Sequence, residues 1–150
     1  MATLKGGERD ARTLLEHLIR LEHDAIAAFD VAIERLQDKA RARMVRAFRD
    51  DHMRHLEELA RLAAAHRARD PGKGSMKSLL ATGKVRMASL TGGDAAILEA
   101  MSANETDTVT AYLKASRNPH APEDARPFLD QALADEERHK AWLDTEAETA

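Results

Sequence analysis

Apolar residues recur along this chain at alternating steps of three and four, the spacing that aligns one face of an α-helix, and they do so in four separate stretches. The first stretch runs from about Glu8 to Gln37, with Leu15, Leu18, Glu22, Ala25, Phe29, Ala32 and Leu36 on its stripe. Asp38 is placed to cap a second helix from Lys39 to about Arg67, whose stripe is Met44, Phe48, His52, His55, Leu59, Leu62 and His66. So short a connection predicts that these two helices are antiparallel neighbours. Thr91, two glycines and Asp94 form a start signal, with Asp94 as the expected N-cap of a third helix reaching about Arg117. Its stripe is Ile97, Met101, Glu105, Thr108, Tyr112 and Ala115. After the stiff turn Asn118 to Pro122, Pro122 is expected at the first position of a fourth helix, and Pro127 is expected to bend or restart it. Ala125, Leu129, Ala132, Glu136, His139 and Leu143 make the fourth stripe.

The remaining segments punctuate these helices. Pro71, Gly72 and Gly74 end the second one, and residues 69–93 read as a crossover with apolar residues but no sustained period. Residues 1–7 read as a frayed leader. The expectation is an all-α chain with one domain over residues 1–150. Two antiparallel hairpins would be joined by a single long crossover, giving a four-helix bundle.

Composition narrows the functional classes. The chain of 150 residues is 33% charged and 43% hydrophobic with only 3% aromatic residues, as expected of packed amphipathic helices. A net charge of -3 with both signs interleaved offers no basic stripe for nucleic acid and no polybasic membrane patch. There is no cysteine, so disulfides, thiolate zinc sites and thiol chemistry are excluded. Neither a signal-peptide core nor a run of about 18 apolar residues is present, and a soluble, cytoplasmic protein is the expectation.

Six polar residues interrupt the apolar stripes: Glu22, His52, His55, Glu105, Glu136 and His139. Carboxylate and imidazole groups on a bundle seam are expensive to desolvate without partners, and a metal ion satisfies both. Their register is consistent. Glu22 and His52 are equidistant from the first hairpin turn, and Glu105 and Glu136 from the second. Each half therefore carries a Glu and then, about 30 residues later, a pair three apart, an internal repeat of about 83 residues. His17, His23 and His120 lie off the stripes or in a loop and read as solvated, while His66 reads as an end-of-helix residue.

A Glu from each of two helices plus Glu-x-x-His from each of the other two resembles the di-iron carboxylate pattern of the ferritin-like superfamily, over about residues 8–145. The rubrerythrin branch is the nearest likeness, its Glu-x6-Tyr resembled by Glu22 to Phe29 and Glu105 to Tyr112. The chain also resembles small bacterial ferritin-like proteins without a rubredoxin module. The fourth helix matches as Glu136-x-x-His139, whereas the second reads His52-x-x-His55. The resemblance implies a di-metal site with Glu22, His52, His55, Glu105, Glu136 and His139 as ligands. Bridging would fall to Glu136 and, in place of a glutamate, to His52. A neutral imidazole has one lone pair and cannot bridge, so three carboxylates would leave two divalent ions with one uncompensated charge. Asp51 is either a replacement carboxylate or, like its mirror Asp135, a supporting or surface residue; Tyr112 is a further residue near the site.

Two functions follow from this reading. One is a non-haem di-iron protein, with manganese or zinc as alternative metals, that reacts ferrous iron with dioxygen or peroxide. The other is a non-enzymatic helical module with an architectural metal or none, using Leu79, Leu80 and Val85 of the crossover as a partner surface. A homodimer is the base-rate expectation for assembly.

Overall fold

The computed structural model describes residues 6–70, 87 and 90–150. Among these are four long helices: α1 (Ala11–Arg35), α2 (Lys39–Ala65), α3 (Asp94–Ser116) and α4 (Arg126–Thr149), the last preceded by a 3₁₀ turn, Glu123–Ala125. No strand occurs among the described residues. The chain is an all-α four-helix bundle, and α1 packs chiefly on α2 and α3 chiefly on α4, with α1 also against α3 and α2 against α4.

Local chemistry sets the ends. Asp10 caps α1, accepting from the Arg12 N–H and the Thr13 hydroxyl, so the helix begins at Ala11 rather than near Glu8. Asp38 caps α2 as expected, accepting from the Ala40 and Arg41 N–H groups at 2.9 and 3.0 Å. Asp94 departs from expectation: Gly93 holds the N-cap position of α3, and Asp94 is already helical. Its carboxylate reaches away from its own helix to accept the N–H groups of Gln37 and Asp38, at 2.9 and 3.1 Å. Pro122 opens the 3₁₀ turn instead of the helix, and Pro127 lies in the first turn of α4, where it restarts the chain as a regular helix.

The stripes are buried as their spacing requires except that Ala25 and His66 are only half-buried and one position is shifted. Met44 is 41% exposed, and Val45 takes its place in the core. Val45, Phe48, His52, His55, Leu59 and Leu62 continue the alternation of three and four without a break, whereas a step of four from Met44 to Phe48 points that side chain outward.

The end contacts give the topology. Arg41 bonds Glu146 at 2.9 Å, so the α1–α2 turn, the start of α3 and the end of α4 share one end of the bundle. At the other end His66 meets Asp124 at 2.7 Å and the Asn118 amide donates to the Gly6 and Glu8 carbonyls. The helices therefore run up, down, down, up. The crossover leaves α2 at the second end, where Ala68 packs, and arrives at the first, where Leu90 accepts from Arg35 at 2.6 Å. Leu79, Leu80 and Val85 lie outside the described residues.

Gly6, expected in a frayed leader, is instead docked. It has φ +96°, and a Cβ there would stand 2.1 Å from the Ala111 carbonyl oxygen, so only glycine allows the approach. His17, expected to be solvated, is half-buried and pairs with Glu8 at 2.7 Å. Two apolar clusters fill the bundle. One gathers Leu15, Leu18, Leu59, Leu62 and Leu129 towards the Asn118 end, and the other gathers Phe29, Val45, Phe48, Met101 and Leu143 towards the Asp94 end. A polar layer lies between them.

Candidate metal centre

The polar layer is built from all four helices. Each contributes stripe residues that the apolar neighbours one turn above and below drive inward: Glu22 from α1, His52 and His55 from α2, Glu105 from α3, Glu136 and His139 from α4. All six are buried, with none more than 4% exposed. The structure thus brings together every one of the six residues that interrupt the stripes.

They form two overlapping groups with ligand-type atoms within 4.8 Å of one another. One is Glu22, His52, His55 and Glu136; the other is His52, Glu105, Glu136 and His139. His52 and Glu136 belong to both. In the first group, Glu22 Oε2 lies 2.6 Å from His52 Nδ1, and Glu22 Oε1 lies 3.3 Å from His55 Nδ1. Glu136 Oε1 lies 3.4 Å from Nδ1 of both His52 and His55. In the second group His52 Nε2 is 3.2 Å from Glu105 Oε1, and His139 Nδ1 is 3.5 Å from Glu136 Oε2 and 3.9 Å from Glu105 Oε2. Glu136 thus turns one oxygen to each group.

Four buried atoms of this layer have no hydrogen-bond partner: Glu105 Oε2, both carboxylate oxygens of Glu136, and His139 Nδ1. Buried polar groups are otherwise nearly always satisfied. These four converge on the interior, and a cation bonded to them removes the deficit. The donor set of carboxylate oxygen and imidazole nitrogen suits iron, manganese and zinc. The cluster is therefore able to hold metal ions.

Asp51 and Asp135 stand behind the histidines. Asp135 Oδ2 is 2.8 Å from His55 Nε2, and Asp51 Oδ2 is 2.7 Å from His139 Nε2. Each carboxylate engages the outward ring nitrogen of the opposite helix, which leaves Nδ1 facing the centre and fixes the ring. Of the two roles open for Asp51, its position is that of support for His139. Arg138 links the pair, donating to Asp51 at 2.8 Å and to Asp135 at 3.3 Å, and Arg54 also bonds Asp51. Tyr112, from α3, donates its hydroxyl proton to Glu22 Oε1. Phe29 and Phe48 wall the layer, with centroids 4.9 Å from His52 and 4.3 Å from His139.

Arg138 and Arg54 were not singled out from the sequence, and Asp135 only as the mirror of Asp51. A signal existed: Asp51-x-x-Arg54-His55 and Asp135-x-x-Arg138-His139 repeat the same spacing on α2 and α4.

Electrostatics follow from crowding three carboxylates and three imidazoles out of water. Burial alone would neutralise each group. His52 is nevertheless held well above the usual imidazole value, because the charges of Glu136, Glu22 and Glu105 outweigh its burial. His55 rises to about 10 against the same burial, because the carboxylates of Glu136 and Glu22 lie beside its ring. Glu22 falls because His52 and His55 overcome its desolvation. The two remaining glutamates split: burial and the charge of Glu136 push Glu105 well up, while His52 holds Glu136 well down. Burial and the neighbouring Glu22 charge push Tyr112 up, keeping its proton in place. Asp51 falls to about 2, against burial, under His139, Arg138 and Arg54. Without a metal the layer thus keeps protons on His52, His55 and Glu105, beside the charged carboxylates of Glu22 and Glu136.

No helix among the described residues is long and apolar enough to cross a membrane. No curated protein and no solved structure matches the chain. Residues 10–118, which include Glu22, Asp51, His52, His55, Glu105 and Tyr112, match the family described as Domain of unknown function (DUF2383), and over that majority of its length the chain belongs to that family.

Proposed function

We propose that the chain is a ferritin-like, rubrerythrin-like di-metal protein whose buried layer holds two divalent ions, iron foremost, and reacts ferrous iron with dioxygen or peroxide. The observation that carries this reading is the pair of overlapping groups meeting at His52 and Glu136, with four unbonded polar atoms aimed between them. The up, down, down, up bundle with one long crossover is also the arrangement of ferritin-like folds. Glu22 and His55 would hold one ion, Glu105 and His139 the other, and Glu136 would present one oxygen to each.

Bound iron would supply the electron-transfer chemistry, two ferrous ions providing the two electrons that, with two protons, take a peroxide to water. The chain's residues do the rest. Apolar clusters on both sides keep bulk water from the layer, and Asp51 and Asp135 orient His139 and His55. Tyr112 steadies Glu22 by donating its hydroxyl proton in a hydrogen bond that it retains.

Metal analysis of protein grown with iron, followed by a ferrous-oxidation assay, tests the proposal. Two irons per chain with turnover is the expected result. One redox-inert metal, or none, returns the chain to a non-enzymatic helical module.

A further inference from the structure

The three histidines of the layer are not equivalent. His55 and His139 each give Nε2 to an aspartate and keep Nδ1 for the centre. His52 has no such support, and both of its nitrogens face carboxylates of the layer. Nδ1 lies 2.6 Å from Glu22 Oε2 and 3.4 Å from Glu136 Oε1, while Nε2 lies 3.2 Å from Glu105 Oε1. Glu22 belongs to one group and Glu105 to the other. One ring therefore spans both groups, edge to edge.

Resting on the two-ion reading above, we infer that His52 takes one metal ion at each ring nitrogen and bridges the pair as its deprotonated ring. A neutral imidazole offers a single lone pair, but a ring that has given up its remaining N–H proton offers one at each nitrogen. Binding of the second ion replaces that proton, which leaves to the buffer. The charge then closes. Glu22, Glu105 and Glu136 with the ring anion carry four negative charges against two divalent ions, which removes the excess positive charge that three carboxylates alone would leave. The bridge is also longer than a carboxylate's. Two metal–nitrogen bonds of about 2 Å on opposite edges of the ring place the ions about 6 Å apart, against about 3.5–4 Å in common two-metal sites.

The test uses the full chain loaded with zinc, which needs no oxidant and scatters anomalously at its edge. Metal content fixes the number of ions, and a crystal structure at the zinc edge places them. Expected are two zinc ions per chain, one bonded to each nitrogen of His52, about 6 Å apart. His52→Glu should draw the pair together to about 3.5–4 Å. Two ions in the wild-type chain with His52 bonded to one or neither overturns the bridge and leaves the two-ion site standing. One zinc ion or none overturns both. If His52→Glu does not fold, the wild-type map decides alone.

Discussion

His55 and His139 can offer a metal only Nδ1, because Asp135 and Asp51 occupy their other nitrogens. The supports cross over: Asp135, on α4, serves the group containing Glu22, and Asp51, on α2, serves the group containing Glu105. Asp135→Asn should therefore weaken one metal position and Asp51→Asn the other, each by roughly 10–100-fold, the range for such supporting residues. A chelator-competition titration that resolves two affinities checks this, and a uniform loss at both positions would contradict the assignment. Glu136 behaves differently because each of its oxygens faces one group. Glu136→Ala should lower metal content at both positions, whereas Glu22→Ala and Glu105→Ala should each spare one. At this scale the sequence was legible where a polar residue stood on an apolar stripe, as with all six residues of the layer. Asp51, Asp135 and the two arginines each sit one place before a stripe residue, where the pattern leaves the aspartates open between support and surface and shows the arginines only as surface charge. Their burial comes from pairing across α2 and α4, which the pattern of one helix does not display.

The helices were legible as elements because three-and-four spacing was sustained over each of them, and their ends were less so. A capping residue is read from type and position, yet Asp94 shows that an acidic side chain at a helix start can be recruited elsewhere: it accepts from Gln37 and Asp38 and meets Arg41 at 3.4 Å. This ties α3 to the α1–α2 turn, a contact between residues far apart in sequence that local start signals do not contain. Asp94→Ala should therefore destabilise the bundle as a lost cap does, by about 1 kcal/mol. For a chain of this length that is a fall in thermal midpoint of roughly 2–4 °C. Metal content should not change, since Asp94 lies at the end of the bundle and the polar layer in its middle. A thermal melt with metal analysis on one preparation checks both, and metal loss would mean that the end contacts set the geometry of the layer. Val45 in place of Met44 has a similar origin: both are apolar, and only the unbroken step to Phe48 decides which faces inward.

Across the whole molecule the layer opposes folding and metal binding in their pH dependence. In the metal-free protein, His55 rises from 6.5 to about 10 and His52 rises well above 6.5, so their stabilisation is complete below pH 6.5 and is lost as pH climbs through the raised values. Glu105, raised above 4.5, erodes stability in the same direction from a lower starting point. Glu22 and Glu136, lowered below 4.5, and Asp51, lowered from 3.8 to about 2, contribute above their ordinary values and are lost on acidification. Metal-free protein should therefore be most stable in mild acid, around pH 4.5–6.5 from these ordinary values, and weaker at pH 8.5. Metal binding reverses the slope, because ligands must shed their protons and affinity rises with pH. Since an ion that binds only the folded state adds stability in proportion to its occupancy, the gap between zinc-loaded and chelator-treated protein should widen from pH 5.5 to 8.5. Thermal midpoints of both forms at the two pH values measure this. A metal-free protein that gains stability at pH 8.5 would mean that His52 and His55 do not carry the compensating protons, and that the charges of Glu22 and Glu136 are balanced in some other way.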